Sequence, residues 1–138
     1  MTSSFDLTIR RLIDAPRERV WRAWTDPADL KQWWSPVLEA DVRAGGAWKA
    51  EVVSPDGTKS WSHGTYLTVD PTKQVSYTFE WDATDTAPTT VTISLADNGE
   101  SCEMTVHQTG FATEGDRDGH IPGWNSAFDE LERFLATK

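Results

Sequence analysis

The chain has 138 residues, 38% of them hydrophobic and 25% charged, which suits one ordinary core and leaves no room for a second domain. Its 22 acidic against 13 basic side chains give a formal charge of −9, which argues against a nucleic-acid partner and against an anionic membrane surface. No apolar run reaches the ~18 residues needed to span a bilayer, the opening MTSSFDLTIRR has no signal-peptide core, and the lone Cys102 allows neither an internal disulfide nor a thiolate metal cluster. These features predict a cytoplasmic single domain over residues 1–138, without membrane insertion. Eight tryptophans lift the aromatic share to 11%. Such rings serve either as bulky core or as the wall of a cavity for an apolar guest.

Phe5, Leu7 and Ile9 alternate with Asp6, Thr8 and Arg10, predicting a half-buried strand that runs to about Ile13. Asp14-Ala15-Pro16 reads as a capping aspartate before a proline suited to a first helical turn. The helix it opens buries Val20, Trp21 and Trp24. Asp26-Pro27 repeats the signal, so a second short helix carries Leu30, Trp33 and Trp34 and closes at Pro36.

From Val37 to Gln108 the pattern is strand after strand. Val37–Val42 leads to a turn at Gly45-Gly46, and Trp48, Ala50 and Val52 alternate with Lys49 and Glu51. Pro55-Asp56-Gly57 is a hairpin turn. The next strand has Trp61, His63, Thr65, Leu67 and Val69 as its inner face, and the one after it Val75, Tyr77, Phe79 and Trp81. A polar loop over 82–88 precedes Val91, Ile93 and Leu95. Asp97-Asn98-Gly99 then turns the chain into a strand with Cys102, Met104 and Val106 inside.

Gln108–Gly119 lacks periodicity and reads as a connection. Trp124, Ala127, Phe128, Leu131, Phe134 and Leu135 then recur at helical spacing. Pro122 either lies in the first turn of that helix or interrupts a longer one beginning near Asp116. The order is an α+β one: a curved antiparallel sheet of about seven strands wrapped round a long C-terminal helix, with two short helices after the first strand. The gap between sheet and long helix is the expected place for a pocket.

Several of these segments also resemble a known family. Ala15-Pro16-Arg17-Glu18-Arg19-Val20-Trp21, Trp24-Thr25-Asp26-Pro27, Trp33-Trp34, Asp41-Val42-Arg43-Ala44-Gly45-Gly46, Gly64-Thr65-Tyr66, Asp70-Pro71 and Gly123-Trp124 are similar to the bacterial relatives of the eukaryotic heat-shock-chaperone ATPase activator. That family sits in the START-like, helix-grip (SRPBCC) superfamily with polyketide cyclases and the major birch-pollen allergen. The resemblance implies the helix-grip fold, a small hydrophobic guest such as a lipid or polyketide, and in a minority of members an enzymatic cyclisation. A chaperone partner is implied by the family's name alone.

The residues themselves assign little catalysis. Cys102 reads as a core thiol, His107 and His120 as exposed, and the three histidines lack metal-ligand spacing. No nucleophile elbow or phosphate-cradling glycine loop is found, so neither cofactor nor metal is indicated and catalytic residues stay unassigned. The candidate ligand-binding set is Trp48, Trp61, His63, Tyr77, Phe79, Trp81, Met104, Trp124 and Phe128. A binding module for a small hydrophobic molecule is the leading expectation. A cyclase or hydrolase using His63 with Tyr77 for proton transfer is the alternative, and both monomer and homodimer fit.

Overall fold

The computed structural model of the protein describes residues 5–35, 37–53, 57–82 and 88–136. Pro36, the Pro55-Asp56 part of the first predicted turn and residues 83–87 of the predicted polar loop lie outside them. The elements run β1 (Phe5–Ile13), α1 (Arg17–Thr25), α2 (Pro27–Trp33), β2 (Leu38–Ala40), β3 (Ala47–Val53), β4 (Lys59–Asp70), β5 (Gln74–Trp81), β6 (Thr89–Asn98), β7 (Ser101–Phe111) and α3 (Glu114–Ala136). All strand pairs are antiparallel in one seven-stranded sheet, ordered β1-β7-β6-β5-β4-β3-β2. The curved sheet and the long α3 make the helix-grip α+β fold. Among the described residues no helix is long and apolar enough to cross a membrane.

Alternation decides which side chains meet the helices. Val75, Tyr77 and Phe79 of β5, Val91, Ile93 and Leu95 of β6, and Cys102, Met104 and Val106 of β7 are buried on the concave face. Trp124, Phe128, Leu131 and Leu135 are the buried stripe of α3 that packs toward them. Arg11 also lies on the inner side of β1. Its guanidinium reaches α3, donating to Asp129 at 2.9 Å, and sits 5.3 Å from the centre of the Phe128 ring.

Helix ends are set by local chemistry. Asp26 caps α2, its carboxylate accepting from the Ala28 amide at 2.9 Å, with Pro27 opening the first turn. Asp14 does not cap α1: Pro16 occupies that position and no side chain bonds the free amides there. The expected 108–119 connection is also largely structured. β7 continues to Phe111, α3 starts at Glu114, and α3 runs through Pro122 for 23 residues, ~34 Å. The β6–β7 turn is Gly99-Glu100, one residue later than the Asn-Gly signal suggests. Asn98 pairs with Ser101 across it, and Gly99 takes φ +75°.

β4 reverses the predicted face. Ser62, Gly64 and Tyr66 point inward, while Trp61, His63 and Thr65 point to solvent. Tyr66 stands opposite Tyr77, but Thr68 stands opposite Ser76, so Leu67 is an extra residue bulging from the ladder. The bulge shifts the phase by one, which puts Leu67 outside and lets Val69 pack against the core.

The inner face takes small residues because its neighbour needs the room. Trp48 of β3 is paired with Gly64 and lays its indole across that glycine to donate to the Thr78 carbonyl of β5 at 3.1 Å. A Cβ at Gly64 would fall on that carbonyl oxygen and 2.6 Å from Trp48 Nε1.

Candidate ligand-binding site

A hollow opens where the concave face of β2–β5 passes beneath α1 and α2. Its wall is Trp24 of α1, Leu30 of α2, Trp34 just after α2, Leu38 and Ala40 of β2, Trp48 of β3, Tyr66 of β4 and Tyr77 of β5. Trp34 and Ala40 are half-buried and the other six are buried, so the hollow meets solvent beside β2 and the end of α2. The space between these side chains is about 340 Å³ with its opening included. Centres of water molecules can occupy about 20 Å³ of it, room for one or two waters. A guest the size of an aromatic ring therefore requires Trp34 and its neighbours to draw back.

Several indole N–H groups in and around this wall are already engaged. Trp24, Trp33, Trp34 and Trp124 form a cluster with ring centres 4.8 to 6.4 Å apart. Three of them are tethered: Trp24 Nε1 donates to Met104 Sδ at 3.2 Å, Trp33 Nε1 to the Ala23 carbonyl at 2.8 Å, and Trp124 Nε1 to Gln108 Oε1 at 2.8 Å. Gln108 is fully buried and also donates to Thr89 Oγ1 at 2.8 Å, so one amide joins β7, β6 and α3.

The two tyrosines differ. Tyr66 and Tyr77 are cross-strand partners with ring centres 5.8 Å apart, and neither hydroxyl has a hydrogen-bond partner among the described residues. Burial pushes the Tyr66 phenol up to about 12. The Tyr77 phenol is also raised, by burial first and then by its neighbour Tyr66. Both are thus neutral near physiological pH, each able to donate and to accept.

The expected site residues fall into four groups. Trp48 and Tyr77 line the hollow. Phe79, Met104, Trp124 and Phe128 are buried packing residues rather than wall, and the space between sheet and α3 is taken up by side chains such as these. Trp81 is held at the far end of β5, where its indole donates to His120 Nε2 at 3.4 Å. His120 is half-buried rather than exposed. Its Nδ1 donates to the Asp116 carbonyl at 2.7 Å, and Phe111 lies 4.9 Å from its ring centre.

Trp61 and His63 are the corrections that the β4 phase imposes. Trp61 is 37% exposed, with Lys49 Nζ 5.8 Å from its ring centre. His63 sits on the convex face between the carboxylates of Asp82 and Glu80, its Nε2 3.3 Å from the latter. His63 and Tyr77 are on opposite faces of the sheet and cannot act on one substrate. Sequence reasoning missed Trp24, Leu30, Trp34, Leu38, Ala40 and Tyr66 as wall. The available signal was the inserted helix pair, whose aromatic faces must cover something on the sheet.

The sequence profile of the Activator of Hsp90 ATPase homolog 1-like protein family matches residues 14–136. The chain belongs to that family. No curated protein is a significant match to the sequence. Among solved structures, the chain is similar to protein CV1439 from Chromobacterium violaceum, at 29% identity and TM-score 0.82 over 93% of this chain and 94% of that one. CalU16 from Micromonospora echinospora aligns at 22% identity and TM-score 0.78 over 96% and 76%. DynU16, a protein of the dynemicin biosynthetic locus, aligns at 20% identity and TM-score 0.83 over 96% of this chain and 47% of its own. At such identities the last two speak for the fold alone. The family's fold is consistent with ligand binding.

Proposed function

We propose that this chain is a binding module for a small apolar or aromatic molecule, taken up in the hollow between α2, β2 and the concave face of the sheet. The observation that carries this reading is the wall itself: six aliphatic or indole side chains and two phenols, with no charged group among them. Such a surface gains ~25 cal/mol for each Å² of apolar guest it removes from water.

The test is a titration of the protein with aromatic and polycyclic compounds, following the indole N–H resonances of its eight tryptophans. The expected result is movement of the Trp24, Trp34 and Trp48 signals while Trp61 stays still. No movement across the panel, or movement confined to Trp61, would overturn the proposal.

A further inference from the structure

Tyr66 and Tyr77 are the only tyrosines in the chain, and both line the same hollow. They are 5% and 7% exposed, so each is more than nine-tenths buried. Among the described residues Arg17 Nε is the sole side-chain polar atom both sealed from solvent and without a partner, so the two phenol oxygens still reach the open space of the hollow. A guest that displaces water from them must bond them or incur ~1–3 kcal/mol for each, whereas Trp24 Nε1 is already spent on a sulfur and Trp48 Nε1 on a carbonyl. The two phenols instead stand side by side toward an open space with their bonding capacity unspent.

The charge of the surroundings limits what can use that capacity. Among the described residues no Lys, Arg, His, Asp or Glu lines the hollow. Lys49 and His63 are on the other face of the sheet. A carboxylate guest would be stripped of water without a cation to meet it, at a cost of several kcal/mol. The net charge of −9 adds a repulsive field. An ammonium guest would likewise lose its water without a carboxylate to meet it, a cost that attraction to the ring faces of the wall offsets only in part. The phenols themselves stay protonated because burial has moved both well above the ordinary tyrosine range.

We infer that the guest is an uncharged molecule bearing a carbonyl or hydroxyl oxygen, which Tyr66 and Tyr77 bind through their hydroxyl groups. This rests on the hollow being the binding site, and it narrows the guest away from ionised fatty acids toward neutral ketones, quinones and phenols.

Three compounds of one shape test it at neutral pH: acetophenone, ionised benzoate and ethylbenzene, each titrated against the parent chain and the Tyr66→Phe/Tyr77→Phe double variant by indole N–H shifts. The same spectra report whether the variant is folded, and the single Phe variants serve if the double one is not. Acetophenone is expected to bind the parent at least ~10-fold more tightly than benzoate. The acetophenone-to-ethylbenzene affinity ratio is expected to fall ~10-fold in the variant, as two hydrogen bonds of ordinary strength imply. Benzoate binding as well as acetophenone, or an unchanged ratio, would refute the inference while leaving a hydrophobic site in place. Failure of all three compounds to bind the parent would remove the site and the inference together.

Discussion

Gly64→Ala isolates the contact that shapes the inner sheet. The new methyl would fall on the Thr78 carbonyl and crowd Trp48 Nε1 at 2.6 Å. Thr78 is paired with Thr90 of β6, and toward β4 its hydroxyl accepts from the Thr65 amide at 2.8 Å while its carbonyl accepts from Trp48, so that carbonyl cannot retreat without straining the β6 ladder and both of these bonds. β4 and β5 must therefore part at this point, the indole is displaced, and its hydrogen bond to the Thr78 carbonyl is lost. Overpacking of this kind costs ~1–3 kcal/mol, and a buried donor left without a partner costs ~1–3 more. The sum, about 4 kcal/mol, is a large part of the ~5–15 kcal/mol that holds a domain together. At a urea slope of ~1.5 kcal/mol per molar the midpoint falls by about 2–3 M. Equilibrium urea denaturation followed by far-ultraviolet circular dichroism measures this directly. A shift equivalent to less than ~1 kcal/mol would mean that the indole does not depend on the missing side chain, and the account of the β4 face would be wrong.

Three further outcomes follow from the same geometry. Ultraviolet titration of phenolate is expected to show no tyrosine ionising at the ordinary value near 10. The folded chain keeps phenol protons that the unfolded chain releases, so stability should be level below pH ~10 and fall through ~10–12. For Tyr66 the loss amounts to about 3 kcal/mol; normal ionisation of both phenols would refute their burial. Gln108→Leu strands the Trp124 indole N–H and leaves the Thr89 hydroxyl only its donation to the Phe79 carbonyl, and a loss of ~1–3 kcal/mol in thermal or urea unfolding is expected. His63→Ala should alter stability by no more than ~1 kcal/mol and leave binding in the hollow unchanged, since its ion pairs are exposed. A large effect of His63→Ala on affinity would return that residue to the site.

The fold was legible because its elements obey simple periods. Val75, Tyr77, Phe79 and Trp81 alternate on one face as expected, and Phe128, Leu131 and Leu135 mark the buried stripe of α3. Errors arose where a neighbour's demand overrode local pattern. In β4 the apolar residues Trp61 and Leu67 favour the wrong face, because apolarity counts side chains and cannot see that Trp48 needs an empty place at Gly64. The Leu67 bulge then hides the phase change that lets Val69 face inward. Gln108 reads as the start of a connection because no period runs through it, yet its amide satisfies two groups on different elements. The gap beside α3, the expected place for a pocket, is occupied by Phe128 and Met104. The wall of the hollow depends on where α2 lands, a matter of long-range packing that no spacing along the chain encodes.

Among the described residues the seven strands do not close into a barrel, so β1 and β2 form the two margins of the sheet. At β2 that margin is three residues long, too few rungs to anchor an incoming strand. At β1 the solvent-facing side chains include Asp6 and Arg10, charges that a stacking copy would have to accommodate. Growth by adding strand to strand, the route by which open sheets begin fibres, is thus discouraged at both borders.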